Sequence, residues 1–92
     1  MKLSSAEITA RLDRVPGWSA TSQGRLQREY KFPDFAAALA FVNRVGRAAE
    51  ERNHHPDIYL TWGKVRIEIW THSAGGITEA DFGLAGACDA AL

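Results

Sequence analysis

The sequence predicts an α+β two-layer sandwich: a four-stranded antiparallel sheet with three helices packed on one face, in a single domain spanning residues 1–92. Three observations predict it. Residues 35–49 carry apolar side chains at helical spacing, residues 25–32 and 58–72 alternate around short glycine turns, and capping-box sequences stand near both ends of the chain. Taken in order, these give helix, strand, strand, long helix, strand, strand, helix. Antiparallel hairpins in that order leave the helices on one side of the sheet.

Leu3-Ser4-Ser5-Ala6-Glu7-Ile8 opens the first helix, with Ser4 and Glu7 as a capping box and Leu3 and Ile8 as a hydrophobic staple. Val15-Pro16-Gly17 ends it. Trp18 to Ser22 form a first strand, and Gln23-Gly24 turn the chain into Arg25–Phe32. There Leu26, Tyr30 and Phe32 share one parity, Gln27, Glu29 and Lys31 share the other, and only Arg28 breaks the pattern.

Pro33-Asp34 marks the start of the second helix, the proline suiting its first turn and the carboxylate its positive end. Phe35, Ala38, Leu39, Val42, Val45, Gly46 and Ala49 then form one stripe, which Phe41 and Ala48 widen. This is the core helix. Near the C-terminus, Ile77-Thr78-Glu79-Ala80-Asp81-Phe82 repeats the opening signal of the first helix, with Thr78 as the N-cap and Asp81 at the box position.

Between these helices lies a hairpin. Gly63-Lys64, with glycine first, suits a two-residue type II′ turn. That turn sets Trp62 against Val65, Leu60 against Ile67 and Ile58 against Ile69, so that every apolar pair falls on one face. Continued outward, it sets Pro56 against Thr71 and His55 against His72. Directly opposed side chains have Cβ atoms about 4.5–5.5 Å apart, so the register brings together histidines from two segments.

Composition narrows the function. Eleven basic and eleven acidic residues balance, so no basic excess draws the chain to nucleic acid or to a membrane. No long apolar span and no signal-peptide pattern is present, and the lone Cys88 cannot form an internal disulfide, so a cytoplasmic location is expected. A chain of 92 residues buries only roughly 60–70% of its unfolded surface. That thin core, with the open edges of a short sheet, predicts a homo-oligomer, a dimer or a tetramer.

Chemistry concentrates at Glu50, His54, His55, Pro56 and His72. Imidazole changes charge near neutral pH, so this cluster reads as one wall of an acid–base site. Three histidines are also a zinc ligand set. However, His55 precedes proline and is held extended, so neighbouring side chains tend to point apart, and the HExxH spacing is absent. There is no Gly-x-Gly-x-x-Gly motif, and Cys88 in an alanine-rich helix reads as core packing.

From about Phe32 to the C-terminus the spacing of Glu50, His54-His55-Pro56, Trp62, Thr71-His72, Gly75-Gly76-Ile77-Thr78 and Asp81 resembles the pterin-4a-carbinolamine dehydratase family. The resemblance implies dehydration of a 4a-hydroxytetrahydropterin to quinonoid dihydropterin, within tetrahydrobiopterin recycling, without a redox cofactor or a metal. It implies that His54 and His72 are acid–base residues, that His55 mainly holds the pterin, and that Glu50, Pro56 and Asp81 support the pocket. Trp62 either lines that pocket or belongs to the core. The family also includes non-catalytic dimerisation or assembly partners of other proteins, which is the alternative reading.

Overall fold

A computed structural model describes residues 1–92. Its elements are α1 (Ser5–Leu12), β1 (Ser19–Ala20), β2 (Leu26–Lys31), α2 (Phe35–Arg52), β3 (Asp57–Leu60), β4 (Lys64–Ile69), a 3-10 turn (His72–Ala74) and α3 (Glu79–Ala90). The strands form one antiparallel sheet in the order β1-β2-β4-β3. This is the α+β fold read from the sequence. No helix is long and apolar enough to cross a membrane.

One core joins the layers. Leu26, Tyr30, Val65, Ile67 and Ile69 of the sheet meet Ala38, Phe41, Val45 and Ala49 of α2 and Phe82, Leu84, Ala85 and Cys88 of α3. Burial, followed by the charge of the adjacent Asp89, pushes the Cys88 thiol up to about 12. The helix α1 is more peripheral. It is opened by the expected Ser4/Glu7 capping box, contributes only the partly buried Ile8 and Leu12, and is tied to α3 by ion pairs from Arg11 and Arg14 to Glu79.

The residue that broke the alternation in β2 has its partner. Arg28 donates to Asp89 of α3 at 2.9 Å and lies over the Tyr30 ring. The Tyr30 hydroxyl and the Trp18 indole N–H donate to the same carboxylate, at 2.5 and 3.1 Å. A half-buried anion at the C-terminal end of a helix opposes the dipole, and these donors offset that cost. Trp18 stands just before a first strand that is shorter than predicted, Ser19–Ala20.

The sequence reading of α2 needs two corrections. Pro33 lies outside the helix, and Asp34 is its N-cap, accepting from the Ala37 N–H at 2.8 Å. The single predicted stripe is also two stripes. Ala38, Phe41, Val45 and Ala49 face the core, while Phe35 and Leu39 remain 45% and 41% exposed, with the half-buried Val42 in the same row.

The hairpin register differs by two residues from the one predicted. Leu60 pairs with Val65 and Ile58 with Ile67, and the loop residues are Trp62-Gly63, closed by the Thr61 N–H to the Lys64 carbonyl at 2.9 Å. Pairing ends at Asp57 and Glu68, so His55 and His72 are not opposed. Hydrophobic patterning cannot separate the two registers, because a shift of two keeps every side chain on its own face. The neighbouring strand decides. The Phe32 N–H donates to the Gly63 carbonyl at 2.8 Å, and a Cβ on Gly63 would lie 2.9 Å from the Phe32 carbonyl oxygen. Gly63 is therefore needed for close approach to β2. Trp62 is left at the hairpin tip, 70% exposed, in neither the core nor a pocket.

Candidate active site

The C-terminus of α2 sets the first part of the site. Asn53 adopts the left-handed conformation (φ 50°), and its N–H reaches back to the carbonyls of Ala49 and Glu50. Asparagine is among the few non-glycine residues that tolerate this cap. The His54 N–H follows suit, donating to Ala49 at 3.1 Å. This turn sends the two imidazoles to different partners, as the proline-restricted geometry suggested. His54 Nε2 lies 2.5 Å from Asp81 Oδ1, and His55 Nε2 lies 2.5 Å from Glu50 Oε2. The His55–Glu50 pair is in solvent, whereas the His54 side chain is only 18% exposed and Asp81 is fully buried. Pro56, half-buried, leads from His55 into β3.

Asp81 occupies the first turn of α3, and a buried carboxylate must be paired or hydrogen-bonded. Its Oδ2 accepts from the Thr78 N–H at 2.7 Å and from the Thr71 hydroxyl at 2.8 Å. The hydroxyls of Thr71 and Thr78 are themselves 2.8 Å apart. Each carries one proton; Thr71 spends its proton on Asp81, so Thr78 donates to Thr71. With Oδ2 doubly bonded, Oδ1 is left for His54. The capping role read from the sequence is present, and the same side chain also orients an imidazole.

His72 begins the 3-10 turn after β4 and is exposed. Gly75, at φ 71°, closes that turn, and Thr71 pairs with Gly76 by a backbone bond of 2.9 Å. Glycine enters this conformation without steric cost. The His72 ring packs on Trp70 with ring centres 4.3 Å apart. His72 therefore meets the rest of the site through its neighbour Thr71 and the Asp81–His54 link, not by facing His55. Thr71 escaped the sequence reading as a site residue. It continues the inward parity of Val65, Ile67 and Ile69, and a hydroxyl on a buried face needs a partner, which is the signal that could have found it.

The three surface clefts of the molecule include none of the histidines. The largest, about 440 Å³, lies between Arg14, Arg52 and the small residues Gly83, Gly86 and Ala87 of α3. No three His, Cys, Asp or Glu side chains stand together as metal ligands. The site holds two imidazoles with carboxylate partners, His54 and His55, and a third, His72, packed on Trp70 without one.

A family model described as pterin 4 alpha carbinolamine dehydratase matches residues 1–91. A protein of Chloroflexus aggregans, provisionally named pterin-4-alpha-carbinolamine dehydratase, is 46% identical over 91 residues, covering 99% of this chain and 97% of the relative. One of Rubrobacter xylanophilus with the same provisional name is 44% identical over 87 residues, covering 95% and 81%. The fold matches the crystal structure of a transcriptional coactivator/pterin dehydratase from Brucella melitensis with a TM-score of 0.94 at 29% identity, over 99% of this chain and 98% of that one. It also matches a pterin dehydratase-like protein identified as a RuBisCO assembly factor in the alpha-carboxysome, with a TM-score of 0.71 at 23% identity over 82% and 88%, a likeness of fold alone. By sequence along nearly its whole length, with the fold in agreement, the chain belongs to the pterin-4a-carbinolamine dehydratase family.

Proposed function

We propose that the protein dehydrates a 4a-hydroxytetrahydropterin to the quinonoid dihydropterin, as a step of tetrahydrobiopterin recycling in the cytoplasm. The single observation that carries this reading is the 2.5 Å contact between His54 and the buried Asp81. An ionised Asp81 accepts only, so His54 Nε2 holds a proton toward it and Nδ1 is the nitrogen turned to chemistry. A neutral His54 then presents a lone pair at Nδ1, and the Asp81 charge stabilises the imidazolium formed when a proton is taken.

The reaction needs one acid and one base. The C4a–O bond breaks as the leaving hydroxyl takes a proton and departs as water. N5 loses its proton, and the C4a–N5 double bond forms, with no change of oxidation state. His54 acts as base toward N5–H, and His72 acts as acid toward the hydroxyl. His55, held by Glu50, contacts the pterin, with Pro56 fixing its backbone. Trp62, at the hairpin tip, has no part in this reading. The test is a spectroscopic assay on freshly generated 4a-carbinolamine. Quinonoid dihydropterin is expected to form faster with the protein than in buffer, and a rate equal to buffer overturns the proposal.

A homo-oligomer belongs to the same proposal. The outward stripe of Phe35 and Leu39 on α2 and the unpaired edge of β3 support it. Light scattering at micromolar concentration is expected to give a multiple of the 10.1 kDa chain mass; a monomer mass counts against it. The same stripe favours the second reading, an assembly partner of this fold.

A further inference from the structure

The polar face of the sheet carries two large aromatic residues, Tyr59 under Arg66 and Trp70 directly ahead of the candidate acid. The β2–β4 ladder ends at Leu26 and Ile69, and its register continued by one step sets Arg25 opposite Trp70. The side chains agree. Arg25 Cζ stands 3.8 Å from the Trp70 ring centre, and the His72 ring centre lies 4.3 Å from Trp70 with the planes 34° apart. Two planar groups this close to one ring centre overlap if they share a face, so the indole lies between the guanidinium and the imidazole. Arg25 is itself fixed: its Nη1 donates at 3.0 Å to Glu68, a carboxylate only 8% exposed. The Arg66 Nε stands 3.2 Å from the other oxygen of Glu68.

His72 has no hydrogen-bonding partner for its ring within the chain, whereas His54 and His55 each have a carboxylate. An acid must nonetheless be aimed, because a misplacement of about 1 Å can cost a hundredfold in rate. The main chain fixes the position of His72 through the Thr71–Gly76 pairing. The ring itself packs on Trp70. We infer that Trp70, clamped by Arg25, is a positioning residue for His72: it replaces the carboxylate with an aromatic face and sets the imidazole plane toward the leaving hydroxyl. A π-face holds a ring in place without committing either nitrogen to a partner. Both nitrogens stay open for proton transfer.

The rate arm of this inference rests on the dehydratase reading, so the test has two arms. In the proton spectrum of the intact protein, the His72 Hε1 resonance, assigned with His72→Gln, is expected upfield of the other two histidines through the indole ring current. Trp70→Leu, which keeps apolar volume, is expected to return it to their range and to lower kcat by about ten- to a hundredfold with KM within about twofold. Trp70→Phe keeps an aromatic face and is expected to retain most of the shift and most of the rate. A His72 resonance that does not move in Trp70→Leu, a native kcat in that variant, or a loss confined to KM overturns the inference. If the parent protein does not dehydrate the carbinolamine, the dehydratase reading fails by itself, and the resonance arm alone decides whether Trp70 holds the imidazole.

Discussion

His54→Ala and His72→Ala are each expected to lower kcat for carbinolamine dehydration by about 10²–10⁴-fold, the range for loss of one acid–base group. The two imidazoles differ in surroundings. One is backed by a buried carboxylate, and the other is packed on an indole with no hydrogen bond to its ring. One must be neutral and the other protonated at the start of turnover. The rate is therefore expected to fall at low pH, where the base is protonated, and at high pH, where the acid is deprotonated, giving a bell. Each single variant should lose one limb of that bell. The double variant is expected to lose less than the product of the two singles, because residues acting as a unit are not additive. His55→Ala is expected to act mainly on KM, since its Glu50 pair lies in solvent at the rim. Full activity in the double variant would end the acid–base account.

The second large effect is expected at Asp81. Asp81→Asn keeps an oxygen for the Thr78 N–H and the Thr71 hydroxyl, so the cap survives and the loss of stability is expected to stay below about 1 kcal/mol. What changes is the atom facing His54. With the amide oxygen occupied by the threonine side, its NH₂ points at Nε2, which must then accept, and the neutral imidazole carries its proton on Nδ1. The lone pair needed for proton abstraction is gone, and kcat is expected to fall by about 10²–10⁴-fold. Asp81→Ala removes the acceptor altogether, leaving buried donors unpaired, and is expected to cost about 2–3 kcal/mol of stability as well. Comparing the two by thermal melting and kcat separates the roles: a nearly native rate in Asp81→Asn would reduce Asp81 to a cap.

Much of this arrangement was legible in the chain. The alternation of Leu26, Tyr30 and Phe32, the helical spacing around Phe41 and the box at Thr78-x-x-Asp81 each state a local preference that the fold keeps. What failed was information carried by a third element. The turn at Gly63-Lys64 follows from the hairpin alone, whereas Phe32, just after β2, holds Gly63 by its N–H and moves the loop to Trp62-Gly63. The outward Phe35 and Leu39 share the helical period of the inward residues, and a period cannot tell which apolar face meets the sheet. Within the site, Glu50, His54, His55 and Asp81 were found as residue types, but their pairing depends on the left-handed turn at Asn53. The links through Thr71 and Trp70 depend on strand parity, which becomes informative only once the inner face is known.

The chain holds one thiol, Cys88, fully buried where α3 meets the core. Modification by alkylating or disulfide reagents proceeds through the thiolate, and at about 12 its ionisation stands far above neutral pH. Closed molecules are therefore silent toward such reagents, and label enters only when the helix layer lifts from the sheet. The rate of labelling at neutral pH thus becomes a clock for that opening, in the same sense as amide exchange from a core helix. A histidine variant that loses turnover while keeping the labelling rate of the parent has lost chemistry, whereas one that labels faster has loosened the scaffold beneath it.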